Sequence, residues 1–351
     1  MICQKKSLSM KVANKTIRLL LIICIYSLVL SNMRAQKDVS FSHRLNSMLD
    51  HAQSASLYRQ NVNWSKLRNE VLVRAAKMAS MQEMQPAFNY LLEAIGDEHG
   101  KIFFQQNVVA YYFGGLKDHH NGFDVNIYNA IQSGQKYSFE VKILGPDIGY
   151  VRLCGMPMGD HFKMAEELGR KICYVQDELP QNWVLDLRYN GGGNMFPMAE
   201  ALVPLLGEGP AGGTDGIADN EDAVWQVKDE KFYYGDFSLA VPKMCLFSRL
   251  PKIAVLTSMY TTSSGEAIAV MFKGRDQTRF FGQKTLGMTT VTDWHPIDEN
   301  TTMSIAVSYY KDRTGKVYKD YVDPDEYFPF EENPLSENDV CLQRAMTWLQ
   351  E

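Results

Sequence analysis

The chain has 351 residues, 45% of them hydrophobic and 22% charged, a composition that excludes a disordered chain and suits one large globular domain with a smaller unit attached. A formal net charge of −5 provides no cationic field for a phosphate backbone, and no zinc-finger spacing or dense Lys/Arg stripe is present, which argues against nucleic acid as a partner. The six cysteines contain no CxxC pair, so neither structural zinc nor thioredoxin-like redox chemistry is supported, and no metal or cofactor is expected.

The N-terminus reads as a secretory signal over residues 1–35. Lys5, Lys6, Lys11, Lys15 and Arg18 precede an apolar run, Leu19 to Leu30, whose 12 residues fall short of the ~20 that span a bilayer as a helix. Ala35 offers a small residue for cleavage, so the mature protein is expected to begin near Gln36 in an exported, periplasmic or cell-envelope setting. Four cysteines then remain, Cys154, Cys173, Cys245 and Cys341; such a compartment permits disulfides, and spacing alone does not decide the pairing.

Residues 36–100 form the next unit. "WSKLRNEVLVRAAKMA" and "MQPAFNYLLEAI" place apolar residues at three- and four-residue intervals, which predicts helices, with Gly96 as a C-cap. Residues 101–147 read as a β-rich connector, because "KIFFQQNVVAYYFGG" and "KYSFEVKIL" are rich in aromatic and β-branched residues. From 148 to 351 strands alternate with helices. "IGYVRL" is a strand and "HFKMAEELGRKICYVQ" a helix; "NWVLDLRYNGGGNMFPMAEALVPLL" is strand, glycine turn, helix, and "PKIAVLTSMYTTSSGEAIAVMFKGR" repeats that plan. Such alternation predicts a largely parallel sheet whose C-terminal strand ends gather the site, so the glycine turn and Ser263 fall on one edge. The intervening 207–250 stretch has no helical period and many turn formers, and is expected to be an irregular flap.

Two turns carry candidate chemistry. Gly191-Gly192-Gly193-Asn194 lacks the spacing of a nucleotide fingerprint and of a P-loop, but residues without Cβ let backbone N–H groups approach a developing oxyanion. Ser263-Ser264-Gly265-Glu266 fits the S/T-x-x-E capping box, an ordinary helix start that needs no catalysis. Taken singly, each turn has a purely structural explanation.

Together they resemble a known family. "WVLDLRYNGGGN" with "IAVLTSMYTTSSGEAIAVMFKGRDQTRFFGQKTLG" is similar to the core of the tail-specific, or C-terminal-processing, serine peptidases, a group that includes tricorn protease; Gly191 and Ser263 lie 72 residues apart, which suits it. The likeness extends through "YLLEAIGDEHG" and "DRTGKVYKDYVDPD". It implies an α/β fold with a ClpP/crotonase-like peptidase core, the N-terminal helical unit and the small β-rich segment being additions to it. It further implies Ser263 as nucleophile, the N–H groups of Ser264 and of Gly191 or Gly192 as oxyanion hole, Glu266 supporting the turn, and Thr285 as the threonine after the "FGQ" strand. The 48 residues between His99 and Ile148 are too few for the PDZ module common in the family.

A serine hydroxyl needs a base. One branch of the family places lysine where this chain has Met288, which accepts no proton, so the serine–lysine dyad is not expected; Lys284 is the nearby alternative, in a position that does not match. The tricorn-like branch takes a histidine from ahead of the core, and His99 in "IGDEHG" corresponds to it. Gly100 stands where that branch has Ser or Thr. The acid expected to orient the histidine aligns nearest Tyr318, leaving Asp312 and Asp320 as candidates. His119 and His120 lack companion ligands for a metal, and His161 and His295 have no supporting constellation. The expected activity is that of an exported serine peptidase acting on peptides or unfolded protein tails. A non-catalytic peptide- or lipid-binding protein on the same fold is the main alternative, and acyl-CoA chemistry on a crotonase-like core is a weaker one.

Overall fold

The computed structural model describes residue 41 and residues 43–351 apart from 77, 79, 116–119, 135, 177–179, 181, 218–221, 243, 244, 246 and 248. The signal segment and His119 lie outside the described residues.

Helices fill the N-terminal stretch as the apolar spacing predicts: α1 (43–55), α2 (Trp64–Ala75) and α3 (Met81–Ile95). The side chains of Asn63 and Ser80 cap α2 and α3 by accepting from the backbone N–H groups of Lys66 and Glu83, and Gly96 ends α3 in the left-handed conformation at φ 76°. One face of α3, with Met84, Phe88, Leu91, Leu92 and Ile95, is buried against α1, α2 and a small sheet.

That sheet begins with the hairpin β1 (Lys101–Phe104) and β2 (Asn107–Tyr111). A helix, α4 (Val125–Gln132), and the strand β3 (Glu140–Leu144) follow. The alternating region then runs β4 (Ile148–Arg152), α5 (His161–Gln176), β5 (Asn182–Asp186), α6 (Met195–Ala201) and α7 (Val203–Leu206). Next come β6 (Gly209–Gly216), β7 (Val224–Lys228), β8 (Lys231–Tyr234), β9 (Lys252–Thr257), α8 (Ser264–Phe272) and β10 (Thr278–Gly282). Short strands β11 (Thr290–Thr292), β12 (His295–Pro296), β13 (Thr301–Ser304), β14 (Ala306–Lys311), β15 (Val317–Tyr318) and β16 (Glu326–Tyr327) lead to α9 (Val340–Gln350).

The central sheet has the order β16-β10-β9-β5-β4-β3; every pairing is parallel except β3 with β4. Such strands are covered on both sides and therefore read as continuous apolar runs. Trp183, Leu185, Ile253 and Val255 face the main core with α5, α6 and α8, whereas Val184, Ala254 and Leu256 face α9. Because β5 pairs with β9, with Asp186 opposite Leu256, the turns that leave both strands emerge side by side.

The 207–250 stretch is more regular than expected. It forms a β6-β7-β8 meander built onto β14, and Trp225, Val227 and Phe232 enter the main core. Its composition hides a strand because β6 runs against neighbouring backbone: at Gly212, φ 128°, a Cβ would lie 2.5 Å from the Lys311 carbonyl oxygen. Cys245, at the end of this stretch, is joined to Cys173 of α5, while Cys154 and Cys341 are buried free thiols. Among the described residues no helix is long and apolar enough to cross a membrane.

Candidate active site

Backbone hydrogen bonds stitch the two turns together. The Thr262 N–H donates to the Asn190 carbonyl at 3.0 Å, the Thr261 hydroxyl to the Leu187 carbonyl at 2.8 Å, and the Ser258 hydroxyl to the Arg188 carbonyl at 2.6 Å. Beneath them Arg188 is buried between Asp186 and Asp339, with four hydrogen bonds of 2.8–3.0 Å, and the Tyr150 hydroxyl adds one to Asp186. Most of "DLRYN" thus braces the sheet edge, since an unpaired charge buried there would be costly.

Ser263 sits at the N-cap of α8 with φ 54°, a conformation that costs a non-glycine residue of order 1–3 kcal/mol and persists only where its surroundings impose it. Glu266 does so. Its Oε2 accepts the Ser263 N–H at 2.8 Å, and its Oε1 accepts the Thr285 hydroxyl at 2.6 Å and the Gly287 N–H at 2.8 Å. Burial pushes the Glu266 carboxyl up to about 7, against the opposing pull of those donors. The glutamate of the capping box therefore also ties the serine turn to the "GQKTLG" loop.

The hydroxyl of Ser263 points at His99. Across 164 residues of sequence, His99 Nε2 lies 2.9 Å from Ser263 Oγ. The other ring nitrogen, Nδ1, is 2.8 Å from Thr290 Oγ1 on β11. The loop that carries His99 is fixed by Asp97, a fully buried carboxylate that accepts the N–H groups of His99 (3.0 Å), Gly100 (2.8 Å) and Ala306 (2.8 Å), the last on β14. Burial, and then the nearby Lys101 ammonium, push the His99 imidazole down to about 3, so the ring is neutral at ordinary pH.

The side-chain group facing His99 Nδ1 is thus a hydroxyl, where the sequence suggests a carboxylate. Asp312 closes its own turn, with Oδ2 accepting the Tyr318 hydroxyl and Oδ1 the Thr314 hydroxyl. Asp320 is exposed and lines a separate cavity of about 300 Å³ that also borders His99. Gly100 packs tightly: a Cβ there would lie 2.8 Å from Leu92 Cδ2 and 3.0 Å from the Asp97 carboxyl, so Ser or Thr would require the Leu92 side chain to move. Thr290 supplies a hydroxyl from elsewhere. Only its place in the "MTTVT" strand, beyond Met288, marked it, and nothing in the sequence separated it from Thr289.

The glycine turn divides its roles. Gly192, at φ 92°, packs on Ser263, where a Cβ would lie 3.0 Å from the serine Cβ; its N–H is already donated to Asn190 Oδ1 at 3.0 Å. Gly191 faces α4, its carbonyl accepting from Gln132 Nε2 at 2.9 Å, and it lines a different cavity with Tyr137 and Cys154. Gly193 borders that cavity too, and it also joins Ser263 and Ser264 in the wall of a cavity of about 420 Å³, where its carbonyl accepts the Ser264 hydroxyl at 2.6 Å. That cavity is lined mainly by apolar groups, among them Met195, Phe196, Phe237 and Leu239.

The remaining candidates lie apart from the serine hydroxyl. Lys284 rests over the Tyr321 ring, 4.2 Å from its centroid, and Met288 is buried. His120 reaches the Leu286 carbonyl at 3.0 Å and so anchors the connector. His161 contacts the Asn194 side chain in the wall of the serine cavity, and His295 stacks on His51 with ring centroids 3.8 Å apart.

Comparison with known proteins agrees with this architecture. The nisin-resistance protein of Lactococcus lactis subsp. lactis is 30% identical over 143 residues, 40% of this chain; the match spans 44% of that protein's length. A lipoprotein from Streptococcus agalactiae superposes with a TM-score of 0.67 at 20% identity, covering 88% of this chain and 96% of its own. The photosystem II D1 C-terminal processing protease superposes with a TM-score of 0.54 at 15% identity, covering 86% and 96%. The profile of peptidase family S41 matches residues 147–328, slightly more than half of the chain and inclusive of both turns. The chain belongs to peptidase family S41, the tail-specific or C-terminal-processing serine peptidases.

Proposed function

We propose that the protein is an exported serine peptidase that hydrolyses peptide bonds in peptides or unfolded protein tails, with Ser263 as nucleophile and His99 as its base. The observation that carries this reading is the hydrogen bond between His99 Nε2 and Ser263 Oγ, 2.9 Å. With its proton on Nδ1 donated to Thr290, the imidazole turns a lone pair toward the serine hydroxyl. Attack on a carbonyl carbon transfers the hydroxyl proton to Nε2 and forms an oxyanion. The N–H of Ser264, first residue of α8, and that of Gly193 are the donors we assign to it, in place of the pairing with Gly191 or Gly192, because Gly192 spends its N–H on Asn190. Collapse returns the proton from Nε2 to the leaving amine and leaves an acyl-enzyme on Ser263; water, activated by the same nitrogen, then releases the acid. Glu266 takes no proton in this scheme and holds Ser263 in its strained conformation.

Export is supported by the signal-like N-terminus, by the Cys173–Cys245 disulfide, and by a lipoprotein among the structural neighbours. The test is hydrolysis of unstructured peptides followed by mass spectrometry. Wild type is expected to cut and Ser263→Ala to lose all turnover while keeping its melting temperature within a few degrees. Equal turnover by both proteins would remove Ser263 from the mechanism, and a wild type that binds such peptides without cutting them would favour a binding protein.

A further inference from the structure

The cavity at Ser263 continues past the serine. Met158 and Trp294 on its rim also line a second hollow of about 720 Å³, bounded by Phe103, Gln105 and Thr302. Apolar surface is left in water at that shared rim, where Trp294 is 56% exposed and Met158 64%. The Trp294 indole stacks on Phe103 with ring centroids 4.7 Å apart. Among the described residues lining the second hollow, Glu299 alone is charged. Large exposed apolar groups that adjoin a cleft mark binding surface, and tryptophan is the side chain most often found as its anchor.

A route connects this stack to the reacting serine. Strand β11 pairs with β14 on one side, and among the described residues no strand pairs with its other edge. Thr290, Val291 and Thr292 all line the serine cavity, so an extended peptide can lie along that free edge. Trp294 follows Thr290 by four residues, at most ~13 Å at the rise of an extended chain.

We propose that the Trp294–Phe103 stack, with Met158 on the same shared rim, is a subsite for an aromatic or large aliphatic side chain of the substrate, about four residues from the bond that Ser263 attacks. The subsite rests on the peptidase reading for its role in turnover, but its binding is separable from catalysis.

The test uses peptides that share one cleavable sequence and carry either Phe or Ser three, four or five residues to each side of the bond. For the wild type, Phe at one of these positions is expected to raise kcat/KM by about tenfold over Ser, and Trp294→Ala to bring that ratio close to one. Met158→Ala should lower the ratio part of the way. A ratio near one at every position in the wild type overturns the proposal, as does a Trp294→Ala variant that slows both peptides equally, which would mark a structural role. Fluorescein-labelled copies of the same peptides, titrated by anisotropy into Ser263→Ala, read the subsite without catalysis. A Trp294-dependent preference for Phe there supports the subsite even if the wild type cuts nothing, an outcome that would refute the peptidase reading alone; no preference there overturns the subsite.

Discussion

His99 turns Nδ1 to a hydroxyl, the Oγ1 of Thr290 at 2.8 Å, where a carboxylate was anticipated. A hydroxyl can hold the ring plane and accept an Nδ1 proton, but it donates as readily as it accepts, so it does not dictate the tautomer, and it offers the imidazolium formed during attack no opposite charge. Thr290→Val is therefore expected to lower kcat by about 10- to 100-fold, in the range seen for groups that orient an imidazole, and Thr290→Ser to restore most of it. A kcat unchanged in Thr290→Val would show that the Thr290 hydroxyl does not orient the ring.

The pH dependence follows from two buried groups. His99 is pushed down to about 3 and must be neutral to accept a proton, so its own protonation limits activity only as pH falls through that value. Asp97 is pushed up to about 6, chiefly by burial and against the pull of its three N–H donors. Its acceptor capacity for His99, Gly100 and Ala306 is thus full well above pH 6 and falls through half at about pH 6. The acid limb of kcat/KM is expected near pH 6 and to belong to Asp97. Asp97→Asn should flatten that limb while lowering the plateau; an unchanged limb in this variant would assign it to another group.

Glu266 holds three donors at once. Glu266→Ala leaves the Ser263 N–H, the Gly287 N–H and the Thr285 hydroxyl buried without an acceptor, at ~1–3 kcal/mol for each group that stays unsatisfied. A fall in melting temperature and a loss of activity are expected together, with Glu266→Gln intermediate in both. Lost activity at an unchanged melting temperature would instead give the carboxylate a part in the chemistry.

The Cys173–Cys245 link ties α5 to the segment that follows Phe237 and Leu239, two walls of the serine cavity. Cys245→Ser is expected to lower stability by ~2–4 kcal/mol, measured by denaturant unfolding, and to raise KM more than it lowers kcat. An effect on kcat alone would contradict this assignment.

Much of this was legible in the sequence because period and turn chemistry act locally. The apolar spacing of α3, its Gly96 cap, the strand runs of β5 and β9 and the two turns behind them all follow from short-range rules, and the parallel alternation brings those turns to one edge. The bond from His99 to Ser263 was not readable from either residue's surroundings; the likeness to a family pointed to it. What stayed hidden depends on long-range packing. Strand β6, "GPAGGTDG", reads as a turn former because Gly212 closes on the Lys311 carbonyl of β14 and Gly213 on the Ala223 carbonyl ahead of β7, and Thr290 reads as one strand threonine among several because its partner is contributed by a distant loop. Gly191, Gly192 and Gly193 are told apart by contacts distant in sequence: Gln132 on the first, Ser263 against the second, and Ser264 and Met156 on the third.

The most direct test of the central claim is reaction with a fluorophosphonate, followed by mapping of the adduct by mass spectrometry at pH 7.5. One adduct per chain is expected, on Ser263. It should be absent in Ser263→Ala, slowed by about 10³-fold or more in His99→Ala, and formed at the wild-type rate in Lys284→Met. An adduct on another residue, or labelling of His99→Ala as fast as wild type, would contradict it.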